Sequence, residues 1–66
     1  MKLSINGKDT DYNGAPVLGE LLRSLGIDSE RVAVERNREI VSRAGMHSLR
    51  LEAGDELEII RFVGGG

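Results

Sequence analysis

The sequence has no cysteine and no tryptophan, and its 66 positions hold one histidine, one proline and two aromatic residues. Each shortage excludes something. Without cysteine there is no disulfide, no thiol nucleophile and no thiolate metal site. Tyr12 and Phe62 alone cannot form a base-stacking platform, and the nine basic side chains are scattered among eleven acidic ones for a net charge of −2. Nucleic acid is therefore not an expected partner. The longest apolar runs are a few residues, too short for a membrane span, and the N-terminus lacks the apolar core of a signal peptide. No membrane contact and a cytoplasmic location are expected. His47, the single histidine, stands in a polar stretch without a carboxylate pair at ligand spacing. It is expected to be a solvent-exposed residue, and no metal site is expected.

What is present bounds the size of the answer. A chain of 66 residues is one domain, and a domain so small buries only about 60% of the surface its unfolded chain exposes. No large catalytic cleft fits inside it. With 39% hydrophobic and 30% charged residues the composition is that of an ordinary globular protein.

"MKLSING" alternates Met1, Leu3 and Ile5 against Lys2 and Ser4, the two-residue period of a half-buried strand. Asn6-Gly7 then signals a type I′ hairpin, which makes "KDTDY" a polar returning strand at an edge. In "NGAPVLGELLRSLGI", Val17, Leu18, Leu21, Leu22 and Leu25 recur at helical spacing. Pro16 suits the first helical position, and Gly26 the left-handed residue past the end, with Ile27 as its hydrophobic contact. Gly19 inside this helix costs roughly 1 kcal/mol against alanine. Either the helix approaches the sheet closely there or the glycine is a tolerated defect.

"RVAVERNREIV" reads as two short strands about a turn at Asn37, with Val32 and Val34 inward. "SRAGMHS" is loop, Leu49 and Leu51 lie in an extended piece, and Ala53-Gly54-Asp55 turns into the longest strand, Glu56 to Val63. Hairpin, helix and a returning last strand fit an α+β, β-grasp arrangement. A mixed sheet of four to five strands wraps one main helix, with the first and last strands parallel at its centre. The domain is expected over residues 1–63, followed by a flexible glycine tail, 64–66.

Catalytic motifs are missing. Gly7-Lys8 with Thr10 lacks the upstream glycine and following helix of a phosphate-binding loop, and Gly14 and Gly19 do not make a dinucleotide fingerprint. Glu35, Glu39, Glu52, Glu56 and Glu58 interleave with basic residues as on a solvated sheet face. In the last strand, Leu57 and Ile59 facing the helix would leave Ile60 and Phe62 outside with Glu56 and Glu58. Alternatively a bulge or a covering loop buries that pair. If exposed, Ile60 and Phe62 form a contact patch for a partner.

The run Gly64-Gly65-Gly66 follows directly. Residues without Cβ thread channels too narrow for any side chain. Four residues from Val63 reach at most about 13–14 Å. The reactive group so delivered is the Gly66 carboxylate. Such groups titrate near about 3.5, so it is ionised at neutral pH and must be activated before acyl chemistry.

With "NGK" in the first hairpin, "LGELLRSLGI" on the helix, "VAVERNREIV" in the middle and "GDELEIIRFVGGG" at the end, the whole chain resembles the ThiS/MoaD family of ubiquitin-like sulfur carriers. The short length favours the thiamine-type members. The resemblance implies a carrier, not an enzyme, monomeric when free and with no cofactor of its own. Gly66 would be adenylated by a ThiF- or MoeB-type enzyme that uses ATP and Mg²⁺. After conversion to a thiocarboxylate it would donate sulfur within the thiazole synthase ThiG, Gly64 and Gly65 threading the partner active sites. One departure is Ala15-Pro16 in place of the Ser/Thr cap usual at the helix start. The same tail chemistry also serves carriers of molybdopterin or amino-acid sulfur routes, and protein modifiers joined to lysines.

Overall fold

The computed structural model describes residues 1–62; Val63 and the expected tail, Gly64–Gly66, lie outside the described residues. The N-terminal alternation becomes strand β1 (Lys2–Ile5), and the chain returns as β2 (Lys8–Asp11) with Ile5 opposite Lys8. Asn6 at φ 51° and Gly7 at φ 80° supply the two positive-φ positions that a type I′ turn demands. A second such turn, Asn37 (φ 50°) and Arg38 (φ 72°), joins β3 (Val32–Arg36) to β4 (Glu39–Ile40). The last strand, β5 (Glu56–Arg61), enters the middle of the sheet, whose order is β2-β1-β5-β3-β4. It runs parallel to β1 and antiparallel to β3. This is the β-grasp arrangement, and β2 is at an edge as its polar sequence requires.

The parallel pairing is short, only Ser4 opposite Glu56 and Ile5 opposite Leu57. Asn6 extends it with its side chain. Its Oδ1 accepts from the Ile59 N–H at 2.7 Å and its Nδ2 donates to the Ile59 carbonyl at 3.4 Å. The carboxamide thus stands in for a peptide group after the main chain has turned away. Asn37 does the equivalent from the other side. Its Oδ1 accepts from the Glu56 N–H, and its own N–H donates to the Glu56 carbonyl.

Helix α1 (Leu18–Ser24) lays Leu18, Leu21 and Leu22 on the sheet against Leu3, Val32, Val34, Leu57 and Ile59. All eight are buried, and burying a side chain of this size contributes about 1.5–3 kcal/mol. The helix ends in a Schellman motif: Ile27 N–H donates to the Leu22 carbonyl and Gly26 N–H to that of Arg23, with Gly26 at φ 70°. Leu25, expected in the core, is instead 44% exposed. It sits on the C-cap, where the chain is already leaving the helix, and Ile27 packs against the core in its place.

The helix start also differs from expectation. Pro16 precedes the N-cap residue, Val17, which makes no side-chain capping bond. The loop of residues 42–49 supplies the cap from a distance: Leu18 N–H donates to the Leu49 carbonyl and Gly19 N–H to that of His47. Gly19 therefore faces this loop and not the sheet. A Cβ placed on it would lie 2.8 Å from the His47 carbonyl oxygen and 3.0 Å from the His47 Cα. Met46, in the same loop, is buried in the core.

Asp55 is the one buried charged residue among those described, 5% exposed. Its Oδ2 accepts from the Glu52 N–H at 2.9 Å and its Oδ1 from Asn37 Nδ2 at 3.1 Å. Arg36 Nε lies 3.1 Å from Oδ2, close enough for ionic attraction, with its N–H out of line for a hydrogen bond. The carboxylate ties the 52–55 turn to the start of β5 and to the β3–β4 turn.

Two outcomes follow for stability. Gly19→Ala should destabilise the domain by about 1–3 kcal/mol, although alanine is the better helix former, because the loop backbone must move. Urea unfolding that shows a gain would contradict the close approach. Asp55→Ala strands the Glu52 N–H and the Asn37 amide and leaves Arg36 to the Glu52 carboxylate, 3.5 Å from its Nη2, and should cost about 2–4 kcal/mol. A loss below about 1 kcal/mol in the same assay would show that this cluster holds nothing.

Candidate functional site

Strand β5 separates its residues by alternation. Leu57 and Ile59 go inward, opposite Arg36 and Val34, while Glu56, Glu58 and Ile60 go outward. The β3–β5 ladder runs unbroken from Val32–Arg61 to Arg36–Leu57, so no bulge turns the apolar pair inward. Ile60 is 47% exposed and Phe62 56%, and the exposed alternative of the sequence reading is the observed one.

Ala33 lies directly opposite Ile60, and Glu35 lies opposite both Glu58 and Ile40. Directly paired residues share a face, so Ile40, 79% exposed, belongs to the same outer surface. Sequence reading missed Ile40. Its only signal was its place after the turn, where register with Glu35 puts it outward.

Phe62 N–H donates to the Arg31 carbonyl at 3.1 Å, one step beyond the last strand pair. Its ring is met by Arg43, whose Cζ lies 5.6 Å from the ring centroid. The Arg43 guanidinium donates through Nη1 to the Ser29 carbonyl (2.5 Å) and through Nη2 to that of Val32 (2.8 Å). Strand β5 is thus followed by an exposed aromatic ring with a cation over it. The glycines Gly64, Gly65 and Gly66, for which reaction was expected, follow in sequence outside the described residues.

Elsewhere the surface offers little for chemistry. A shallow open groove at the helix end is lined by Gly19, Leu22, Ile27, Ser29 and His47. His47 is exposed there, with Nε2 3.4 Å from Ser29 Oγ, and among the described residues no carboxylate bonds the ring to orient it. The described residues contain no group of three or more His, Asp or Glu side chains placed to hold a metal ion. No helix among them is long and apolar enough to cross a membrane.

The family model described as the ThiS family matches residues 3–66. The chain belongs to the ThiS family. Along nearly its whole length it is similar to the sulfur carrier protein ThiS of Bacillus subtilis, 38% identical over 65 residues, covering 97% of this chain and 98% of that protein. It is similar in structure to the thiamine biosynthesis protein ThiS of Geobacter metallireducens, with a TM-score of 0.82, 36% identity and full coverage of both chains. A thiazole synthase of Paramagnetospirillum magneticum is 46% identical over 66 residues; this chain spans 20% of its length. The β-grasp fold is thus the ThiS-family fold, and the exposed end of β5 is where this family member leads into its glycines.

The alternation of β5 makes its two faces separable by mutation. Leu57→Ala should cost about 2–5 kcal/mol, whereas Phe62→Ser should change stability by about 1 kcal/mol or less. Thermal unfolding of both variants decides it. If Phe62→Ser unfolds the domain, Phe62 is core and the patch does not exist.

Proposed function

We propose that this chain is a sulfur carrier for thiazole formation in thiamine biosynthesis, with the Gly66 carboxylate as the site of sulfur attachment. The observation that carries the reading is the junction of fold and sequence. The central strand presents Ile60 and Phe62 on the outer face, and Val63-Gly64-Gly65-Gly66 follow immediately. Similarity to the Bacillus sulfur carrier over nearly its whole length supports it, as does similarity to part of a thiazole synthase.

The carrier needs activation by a partner of the ThiF or MoeB type. A carboxylate oxygen of Gly66 attacks the α-phosphorus of ATP, the bond to the β-phosphate bridge breaks, and pyrophosphate leaves. The product is an acyl-adenylate. The partner supplies Mg²⁺ and positive charge to the phosphates. A sulfur nucleophile then attacks the acyl carbon and AMP departs, leaving a thiocarboxylate. In thiazole synthase that sulfur attacks an electrophilic carbon of the thiazole precursor. The acyl–sulfur bond then breaks as an oxygen from water adds to the acyl carbon, which returns the Gly66 carboxylate and leaves the sulfur on the precursor. This chain's own contributions are binding and delivery: Ile60 and Phe62 dock the partner, and Gly64 and Gly65 let Gly66 pass a narrow channel.

Reach sets the tolerance. Removing Gly66 withdraws the carboxylate by one residue, roughly 3.5 Å, and a 1 Å misplacement can cost about 100-fold in rate. The shortened chain should fold normally and stay inert, and Gly65→Val should fail by blocking the channel. The measurement is intact mass after incubation with the activating enzyme, ATP and a sulfur source. One oxygen exchanged for sulfur at Gly66 is required. The same mass change in the shortened chain would falsify the mechanism, and isopeptide adducts on lysines would point to a protein modifier instead.

A further inference from the structure

Arg43 lies far in sequence from the strand it touches. It comes from the 42–49 loop, yet its guanidinium meets three elements at once: the Ser29 carbonyl in the 3₁₀ turn (Ser29–Arg31), the Val32 carbonyl at the start of β3, and the Phe62 ring past the end of β5. The place has a topological reason. Strand β4 is two residues long and pairs β3 only at Glu35 and Arg36, with Val41 N–H reaching Val34. Below that point the outer edge of β3 has no strand beside it, so the Val32 carbonyl would face solvent. Arg43 fills the gap with a planar fork of donors, which a main-chain strand would otherwise supply.

The same plane then backs the Phe62 ring. A guanidinium is flat, weakly hydrated and suited both to donate in a fork and to lie against an aromatic face, which an ammonium does not reproduce. Two charge-assisted bonds, one to the 3₁₀ turn and one to β3, fix the cation, and the fixed cation restrains the ring. The Phe62 main chain is tied to the sheet by its N–H, which donates to the Arg31 carbonyl. Without Arg43 the ring would lose one of its contacts, and a partner that binds it would have more of the ordering to do.

We infer that Arg43 is a positioning residue for transfer: by bracing β3 and the Phe62 ring together, it presents the end of β5 in the form the activating partner binds. This rests on the function proposed above, with one part independent of it, namely the coupling between Arg43 and Phe62 in the free protein. An ordered docking surface lowers the cost of association, so its loss should appear as weaker binding of the carrier and not as slower chemistry.

The test compares the unsubstituted chain with Arg43→Lys, Arg43→Gln, Phe62→Leu and the double substitution Arg43→Gln/Phe62→Leu. In the free protein, Arg43→Gln and Arg43→Lys should both shift the Phe62 ring proton resonances and speed exchange of its amide, with the β-sheet spectrum otherwise kept. In ATP-dependent adenylation by a ThiF- or MoeB-type enzyme, Arg43→Gln should raise KM for the carrier about two- to fivefold at constant kcat, the size of an exposed cation–π contact. Arg43→Lys should not restore it. The double substitution should be no worse than the worse single one, since both remove the same contact. Full rescue by lysine would assign the effect to charge alone and overturn the inference. Unchanged Phe62 resonances in Arg43→Gln, or additive losses in the double variant, would overturn it as well. An unsubstituted chain that is not adenylated would sink the proposed function instead, and is recognised by its independence of residue 43.

Discussion

Strand β5 is bonded along both sides, and most of the molecule is arranged to keep it there. Its parallel partner β1 is available for only two residue pairs before turning at Asn6-Gly7. A strand so briefly paired would leave the Ile59 N–H unpaired in the sheet, and a buried unpaired donor costs about 1–3 kcal/mol. The Asn6 carboxamide removes that cost, at the one residue type that also tolerates φ 51° in the turn. Asn37, on the opposite flank, again joins a positive-φ turn position to a bond with β5. Both asparagines couple hairpin geometry to the centre of the sheet, so hairpin formation and capture of β5 reinforce each other.

With the strand fixed, its two-residue period separates stability from recognition. Leu57 and Ile59 complete the core beneath α1, and Ile60 with Phe62 stays outside. In so small a domain the core has little to spare, so an inward face that also had to meet partners would trade one role against the other. Alternation avoids that trade. The exposed ion pairs on the periphery, such as Lys2–Asp11 at 3.8 Å, contribute little by comparison. Asp55 differs because it is buried and its oxygens accept from the Glu52 main chain and the Asn37 side chain, with Arg36 Nε 3.1 Å away.

The sequence was most legible where the signal is local. Alternation located β1, β3 and β5, Asn6-Gly7 and Asn37 located two turns, and Gly26 with Ile27 located the helix stop. The outward direction of Ile60 and Phe62 followed from the alternation that put Leu57 and Ile59 inside. What stayed hidden depends on partners distant in the chain. Met46 sits in a polar heptapeptide with no period, and its burial comes from the loop folding over the helix start. The close contact of Gly19 with His47 joins residues 28 positions apart, so the glycine could be noticed but not explained from α1 alone. Asp55 read as a turn residue because nothing local announces Arg36 and Asn37 beside it. Leu25 kept the helical period after the helix had ended.

The division of work between this chain and its partners follows from the same constraint. Among the described residues the grooves are open to solvent, no cluster is placed to hold a metal, and no carboxylate orients the histidine. On the proposed function, every catalytic group must then come from the enzyme, and the carrier must be recognised without its reactive end being shielded. An outer-face patch close to, but separate from, that end meets both demands. On that function the patch would anchor the domain, and glycines, which have no side chains, suit entry to a narrow active site. Two successive enzymes can then share one docking surface and one reactive group. For that arrangement the cost of ordering Phe62 at each docking event counts directly against affinity. A ring that wandered would have to be ordered each time a partner bound it, and the carrier would associate more weakly. On the proposed function, bracing Phe62 from the side of β3 is therefore the fold's contribution to docking, made before any chemistry begins.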